Sequence, residues 1–172
     1  MNPIEQAKRP VTALAGPYGH PLHPALVPVP IGAWIASIVF DVASHFVRDP
    51  AFLVQGSRWL IGLGVLGALA AATVGLLDLL AIPRRTKAFS TAIVHMSLNL
   101  AVTAAYGIGF AIRGGDQPGP VGAGPLALSA VALVALGAAG YLGGELVFRH
   151  GVRVVDEQTQ AEGYHTSTVK ER

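Results

Sequence analysis

Four apolar runs, each long enough to cross a lipid bilayer, constrain this chain more than any other feature. They cover about residues 25–46, 59–82, 89–112 and 124–148. A hydrocarbon core roughly 30 Å thick needs about 20 apolar residues in helical form. The runs are continuous and lack the period-two alternation of barrel strands, so helices are expected. Composition agrees. Only 13% of the 172 residues are charged and 52% are hydrophobic, with mean hydropathy +0.52. Soluble domains carry about 25% charged residues. A disordered chain, a coiled coil and most soluble enzymes of this size are excluded. The expected fold class is all-α, an integral membrane four-helix bundle.

Helix breakers set the limits of the runs. Pro24 suits the first helical turn, where a missing N–H costs nothing. Pro28 and Pro30 make the start of the first run irregular. Pro83 stops the second run, Gly114-Gly115 the third, and Arg149-His150-Gly151 the fourth. Residues 1–24 form an N-terminal segment with a His-Pro motif. Lys8 and Arg9 precede only Val11–Ala15, too short for the apolar region of a signal peptide. Residues 149–172 read as a polar tail without a packing pattern, expected to be mobile. The stretch from Gly114 to Pro120 reads as a turn-rich external loop, not a phosphate cradle, because no strand precedes it.

Basic residues set the expected orientation. Lys8, Arg9, Arg84, Arg85, Lys87, Arg149, Arg153, Lys170 and Arg172 fall on one side of a four-span topology. Arg48, Arg58 and Arg113 fall on the other. That bias places both termini in the cytoplasm. The net charge of +2 is used for topology rather than for an acidic partner. No stretch interleaves basic and aromatic residues as a nucleic-acid groove does, so a nucleic-acid partner is discarded.

Cysteine is absent, which excludes disulfides, thiolate metal sites and covalently attached haem. Nucleophile-elbow, P-loop and dinucleotide motifs are absent as well, so the chain leans away from an enzyme. Small residues at Gly64, Ala68, Ala71 and Gly75, and at Gly137, Gly140 and Gly144, suit close helix contacts in lipid. Phe40-Asp41-Val42 and Leu77-Asp78-Leu79 are alike, but the third and fourth runs show no counterpart, so no internal repeat is inferred.

Polar residues inside apolar spans are costly, and they pair or face the bundle interior. His95 lies roughly 9 Å and Asp78 roughly 6 Å inside the cytoplasmic edge, at 1.5 Å per residue. His20, His23, Asp78, His95, Asn99, Glu145 and His150 therefore share one cytoplasmic-side layer, with Arg84 and Arg85 on its rim. Asp41 and His45 sit at the opposite end and read as a local, water-exposed pair. The layer supports several chemistries. Imidazoles with a carboxylate suit a divalent metal, with His20, His23, Asp78 and His95 as candidate ligands. Two imidazoles from facing helices suit haem b, with His23 and His95 first, His150 in reserve, and Arg84 or Arg85 meeting the propionates. Asp78 would then orient a ligand imidazole. A proton relay is a third use, weakened because only scattered Ser and Thr lie between this layer and Asp41. The alternative is a cofactor-free structural or assembly protein whose polar layer, Asn99 and Glu145 included, fixes helix packing.

The blocks that carry this layer resemble a known family. His20-Pro21-Leu22-His23-Pro24, running on through Val27-Pro28-Val29-Pro30-Ile31-Gly32, resembles the opening of the bacterial membrane family catalogued as domain of unknown function 2231. Ala72–Asp78, His95 with Asn99-Leu100, and Gly140–Gly151 are similar to its later blocks. The resemblance covers about residues 20–154. It implies a bacterial inner-membrane, multi-pass protein of four helices in contact with the lipid bilayer. Relatives that also carry a Rieske-type iron–sulfur domain imply electron transfer; without cysteine, this chain would need such a domain as a separate redox partner. The Gly-rich apolar helices make a homo-oligomer an additional expectation.

Overall fold

Where lipid replaces water, every backbone polar group must be satisfied within the chain, and helices do this locally. The computed structural model describes residues 2–114 and 119–164. Among them are seven α-helices: α1 (Pro3–Lys8), α2 (Leu22–Leu26), α3 (Pro28–Ala43), α4 (Ala51–Ala81), α5 (Lys87–Ile112), α6 (Ala123–Gly144) and α7 (Glu157–Glu162). A π-helical turn, Glu145–Arg149, extends α6. Four stretches are long and apolar enough to span a membrane: Leu22–Ala43, Ala51–Ala81, Lys87–Ile112 and Ala123–Arg149. Part of the Gly114–Pro120 loop lies outside the described residues, as do Lys170 and Arg172.

The first span starts at Leu22 as the single turn of α2, and the proline-rich stretch then carries the chain into α3. The second begins at Ala51, ahead of the apolar run. The Asp49 carboxylate accepts from the Ala51 N–H at 3.3 Å, while Gln55, Ser57 and Arg58 are polar yet helical. Hydropathy misses that first stretch for this reason. Thr86 caps α5: its hydroxyl accepts from the Phe89 N–H at 3.1 Å and donates to the Pro83 carbonyl at 2.8 Å. This turn holds Arg85 at φ 63°, a conformation side chains other than glycine seldom adopt.

Each span packs on the next, and α3 touches α6, closing a four-membered ring. The α3–α4 and α5–α6 hairpins pack more extensively within themselves than against each other. The distribution of side chains inverts that of a soluble protein. Phe52, Trp59, Leu66, Val134 and Phe148 are exposed, whereas Ser37, Asp41, Ser57 and Ser129 are buried. Trp34 stacks on Tyr106 at the centre, with ring centroids 4.2 Å apart and planes 7° from parallel. Gly64 makes this possible, because a Cβ there would collide with the Trp34 indole.

Three expectations need correction. Gly137 and Gly140 do not mark a helix contact, since a Cβ at either would meet nothing within 4 Å. The close approach on α6 falls instead at Gly143. Asp41 is not water-exposed beside His45. It is fully buried, and the Arg113 Nη2 lies 2.7 Å from its Oδ2. The same Nη2 donates to the Pro125 carbonyl at 3.0 Å and the Ser129 hydroxyl at 3.1 Å. Arg113 thus acts inside the bundle, not as a loop cation. The polar tail also packs where it begins: Val152 and Arg153 are buried, and the Arg153 N–H donates to the Ala7 carbonyl at 3.0 Å.

Removing one partner of a buried ion pair strands the other charge, at a cost of about 3–5 kcal/mol. Asp41→Ala is expected to lose that much stability in detergent unfolding. Combining Asp41→Leu with Arg113→Met should recover most of it. Single variants as stable as the parent would show that the pair contributes nothing to the bundle.

Candidate functional site

Two histidines meet on the bundle axis at the end that carries the termini. His23 stands in α2, and its Nδ1 lies 2.8 Å from the Ala71 carbonyl of α4. His95 stands in α5, and its Nδ1 lies 2.8 Å from the Ala139 carbonyl of α6. A carbonyl can only accept, so in each neutral ring Nδ1 carries the proton and Nε2 the free lone pair. Each ring rests on a glycine. A Cβ on Gly75 would come within 2.9 Å of His23, and one on Gly143 within 3.1 Å of His95. The ring centroids are 6.4 Å apart with planes at 85°. Asn99 donates to the His95 carbonyl at 2.8 Å and holds its amide nitrogen 3.3 Å from His95 Nε2.

These paired contacts expose an internal repeat that the sequence pattern concealed. His23, Trp34 and Asp41 of the first hairpin correspond in spacing to His95, Tyr106 and Arg113 of the second. Ala71, Ile61 and Gly75 correspond likewise to Ala139, Ser129 and Gly143. The bonds correspond too: the Trp34 indole donates to the Ile61 carbonyl at 3.4 Å and the Tyr106 hydroxyl to the Ser129 carbonyl at 3.3 Å. The hairpins are thus related by an approximate two-fold axis along the bundle. Three side-chain pairs meet across it: His23 with His95, Trp34 with Tyr106, and Asp41 with Arg113. The repeat escapes residue-by-residue comparison because its partners differ chemically, Trp against Tyr and Asp against Arg.

The other candidates separate from this pair. The partner that orients His23 is the Ala71 carbonyl, not Asp78. Asp78 instead faces Arg153, Oδ1 to Nε at 2.8 Å. Glu145 meets Arg149 at 3.2 Å and lies 3.8 Å from His150, so this trio forms its own cluster on the π turn. His20 is exposed, as are Arg84 and Arg85 on the α4–α5 turn. Among the described residues no group of three or more His, Asp or Glu is placed to hold a metal ion.

Arg153 reads in the sequence only as one of the topology-setting cations, because it lies beyond the apolar runs. It pins both ends of the chain, its Nη2 donating to the Ala15 and Gly16 carbonyls at 3.0 and 2.9 Å. A second latch follows. The Tyr18 hydroxyl donates to the Asp156 carboxylate at 2.8 Å and accepts from the Asp156 N–H at 2.7 Å. The Thr159 N–H and the Tyr18 hydroxyl hold the Asp156 pKa down to about 2. Burial and this hydrogen bond hold the Tyr18 pKa above its ordinary value.

An up-and-down bundle of four membrane helices, with a histidine pair near one end and an ion pair near the other, defines a multi-pass membrane protein of two fused hairpins. The family model described as predicted membrane protein, domain of unknown function 2231, matches residues 19–156, and the chain belongs to that family. No curated protein and no solved structure matches the chain.

Because the Asp156 pKa is depressed, its share of the latch is complete above the ordinary carboxylate range near pH 4 and is lost as pH falls toward about 2. A carbon-detected NMR titration of the Asp156 carboxyl should show that low midpoint. Tyr18→Phe should raise it toward the ordinary value. A midpoint near 4 in the parent chain would rule the latch out.

Proposed function

We propose that the His23 and His95 imidazoles would hold a b-type haem, and that the protein carries electrons in the bacterial inner membrane with both termini in the cytoplasm. The matched tautomers carry this reading: each Nδ1 is bound to a helix carbonyl, which fixes the ring and directs coordination to Nε2, where on His95 a ligand would displace the Asn99 amide now 3.3 Å away. Outer bonds of this kind orient metal-binding histidines. The separation supports it as well, since the two rings stand with centroids 6.4 Å apart, near enough to serve one group.

The number of ligands favours haem over a bare ion. Structural zinc takes four protein ligands and catalytic zinc three. The axis offers two imidazoles, and a porphyrin brings its own four nitrogens. The two rings belong to different hairpins, and the seam between hairpins is the looser packing surface. Arg84, exposed at the same end, is a cation open to a propionate. When bound, the haem would supply a one-electron couple; the chain would supply ligation, a low-dielectric surround and the seam. An electron partner must then be a separate protein, and a Rieske-type protein is the candidate the family resemblance suggests. Nine of the twelve Lys and Arg fall on the proposed cytoplasmic side, which supports the orientation.

The cofactor-free reading has its own support, since both Nδ1 atoms are already satisfied within the protein. A reduced-minus-oxidised absorption spectrum of detergent-purified protein, made with ample haem supply, separates the two. Sharp α and Soret bands are expected in the parent and in His150→Ala, and should vanish in His95→Ala. A flat parent spectrum with a destabilised His95→Ala variant would establish the structural role instead.

Orientation is tested independently, because the chain has no cysteine to remove. A membrane-impermeant maleimide applied to spheroplasts should label His45→Cys and leave Lys87→Cys unlabelled until the cells are opened. The reverse pattern would invert the topology.

A further inference from the structure

A second feature at the terminal end lies apart from the histidine pair. The start of α5 and the π turn that ends α6 enclose an open groove of about 540 Å³. Arg85, Lys87, Arg149 and His150 line it, together with the hydroxyl residues Ser90 and Thr91. Its one carboxylate, Glu145, is engaged by Arg149 at 3.2 Å. Arg85 and Lys87 make no ion pair among the described residues. The groove therefore presents an excess of positive charge beside the Thr91 hydroxyl and a Ser90 hydroxyl that donates to the Thr86 carbonyl at 3.4 Å, at the opening of a helix whose N–H groups favour anions.

We propose that this groove binds the phosphate of an anionic phospholipid at the membrane surface. Three observations converge on it. The charge is complementary to a phosphate diester. The groove sits where two membrane-spanning stretches end, one beginning at Lys87 and the other finishing at Arg149. One helical turn deeper on the same faces, Val94 follows Ser90 on α5 and Tyr141 precedes Glu145 on α6, and both are exposed. Phe148, nine-tenths exposed, adds apolar surface beside Arg149. A cationic groove above an apolar wall matches a headgroup continued by an acyl chain. A free phosphate ion would use the charge and leave the wall idle. Basic pockets between membrane helices are an established form of headgroup recognition.

The turn geometry gives the groove its shape. Thr86 ties the Pro83 carbonyl to the first turn of α5, so Arg85 and Lys87 flank one fixed cap. The π turn sets Glu145 and Arg149 one turn apart within bonding distance, where the carboxylate restrains the guanidinium.

The test uses the full chain in a neutral detergent, with unfolding temperature read against added phosphatidylglycerol, phosphatidylcholine or inorganic phosphate. Phosphatidylglycerol should raise the unfolding temperature saturably, and the other two should not. Neutralising each cation should weaken half-saturation by about fivefold. Arg85→Gln and Lys87→Gln are surface changes, so their unfolding temperatures without lipid should match the parent, and Arg48→Gln at the far end should respond as the parent does. Three results would overturn the proposal: an equal response to phosphatidylcholine, an equal response to inorganic phosphate alone, or an undiminished phosphatidylglycerol response in Arg85→Gln/Lys87→Gln.

Discussion

The absence of water from the hydrocarbon core governs this structure. A charge placed there has no solvent to fall back on and must find its partner within the chain. Asp41 and Arg113 meet that demand in full burial, and the Arg113 guanidinium also reaches two backbone carbonyls and a serine hydroxyl. Asp41 belongs to one hairpin and Arg113 to the other. The pair therefore fixes how the hairpins dock as well as cancelling two charges. Apolar surface alone could not do this, because lipid is as good a neighbour for leucine as another helix is.

The same logic recurs along the axis in a graded form. The Trp34–Tyr106 stack brings two large rings together, and each ring sends its polar atom to a carbonyl of its own hairpin. The histidines repeat the pattern at the other end. In the aromatic and histidine layers each hairpin satisfies these hydrogen bonds itself and offers one side chain to its counterpart. A duplicated unit of this kind can change the chemistry of a layer by altering one residue without disturbing the backbone that carries it. The layers have diverged unequally: the histidines are identical, the aromatics similar, and the charges opposite.

Much of the fold was legible because span length and apolarity are properties of single segments. The four helices follow from runs of residues, and so does the shared level of His23 and His95. What escaped depends on relations between segments. Asp41 looked like a surface residue because its natural reference was His45, one turn away, whereas its partner Arg113 lies two helices later. Arg113 in turn was hidden among the topology-setting cations. Arg153 sat in a stretch whose polarity suggested solvent. The repeat was concealed because an aspartate corresponds to an arginine. Glycine position was half legible: Gly75 lies under an imidazole, yet on α6 the working residue is Gly143, and Gly137 and Gly140 face outward.

Arg153 has one more implication, concerning the order in which the molecule is made. It follows all four spans in the chain, yet it holds the Ala15 and Gly16 carbonyls and faces Asp78. While the ribosome is still producing the later helices, Asp78 lacks this cation and the N-terminal segment lacks the bonds from Arg153. The molecule closes only after synthesis has passed residue 153. A chain cut short before that point would retain every membrane helix and still lack the cation that faces Asp78.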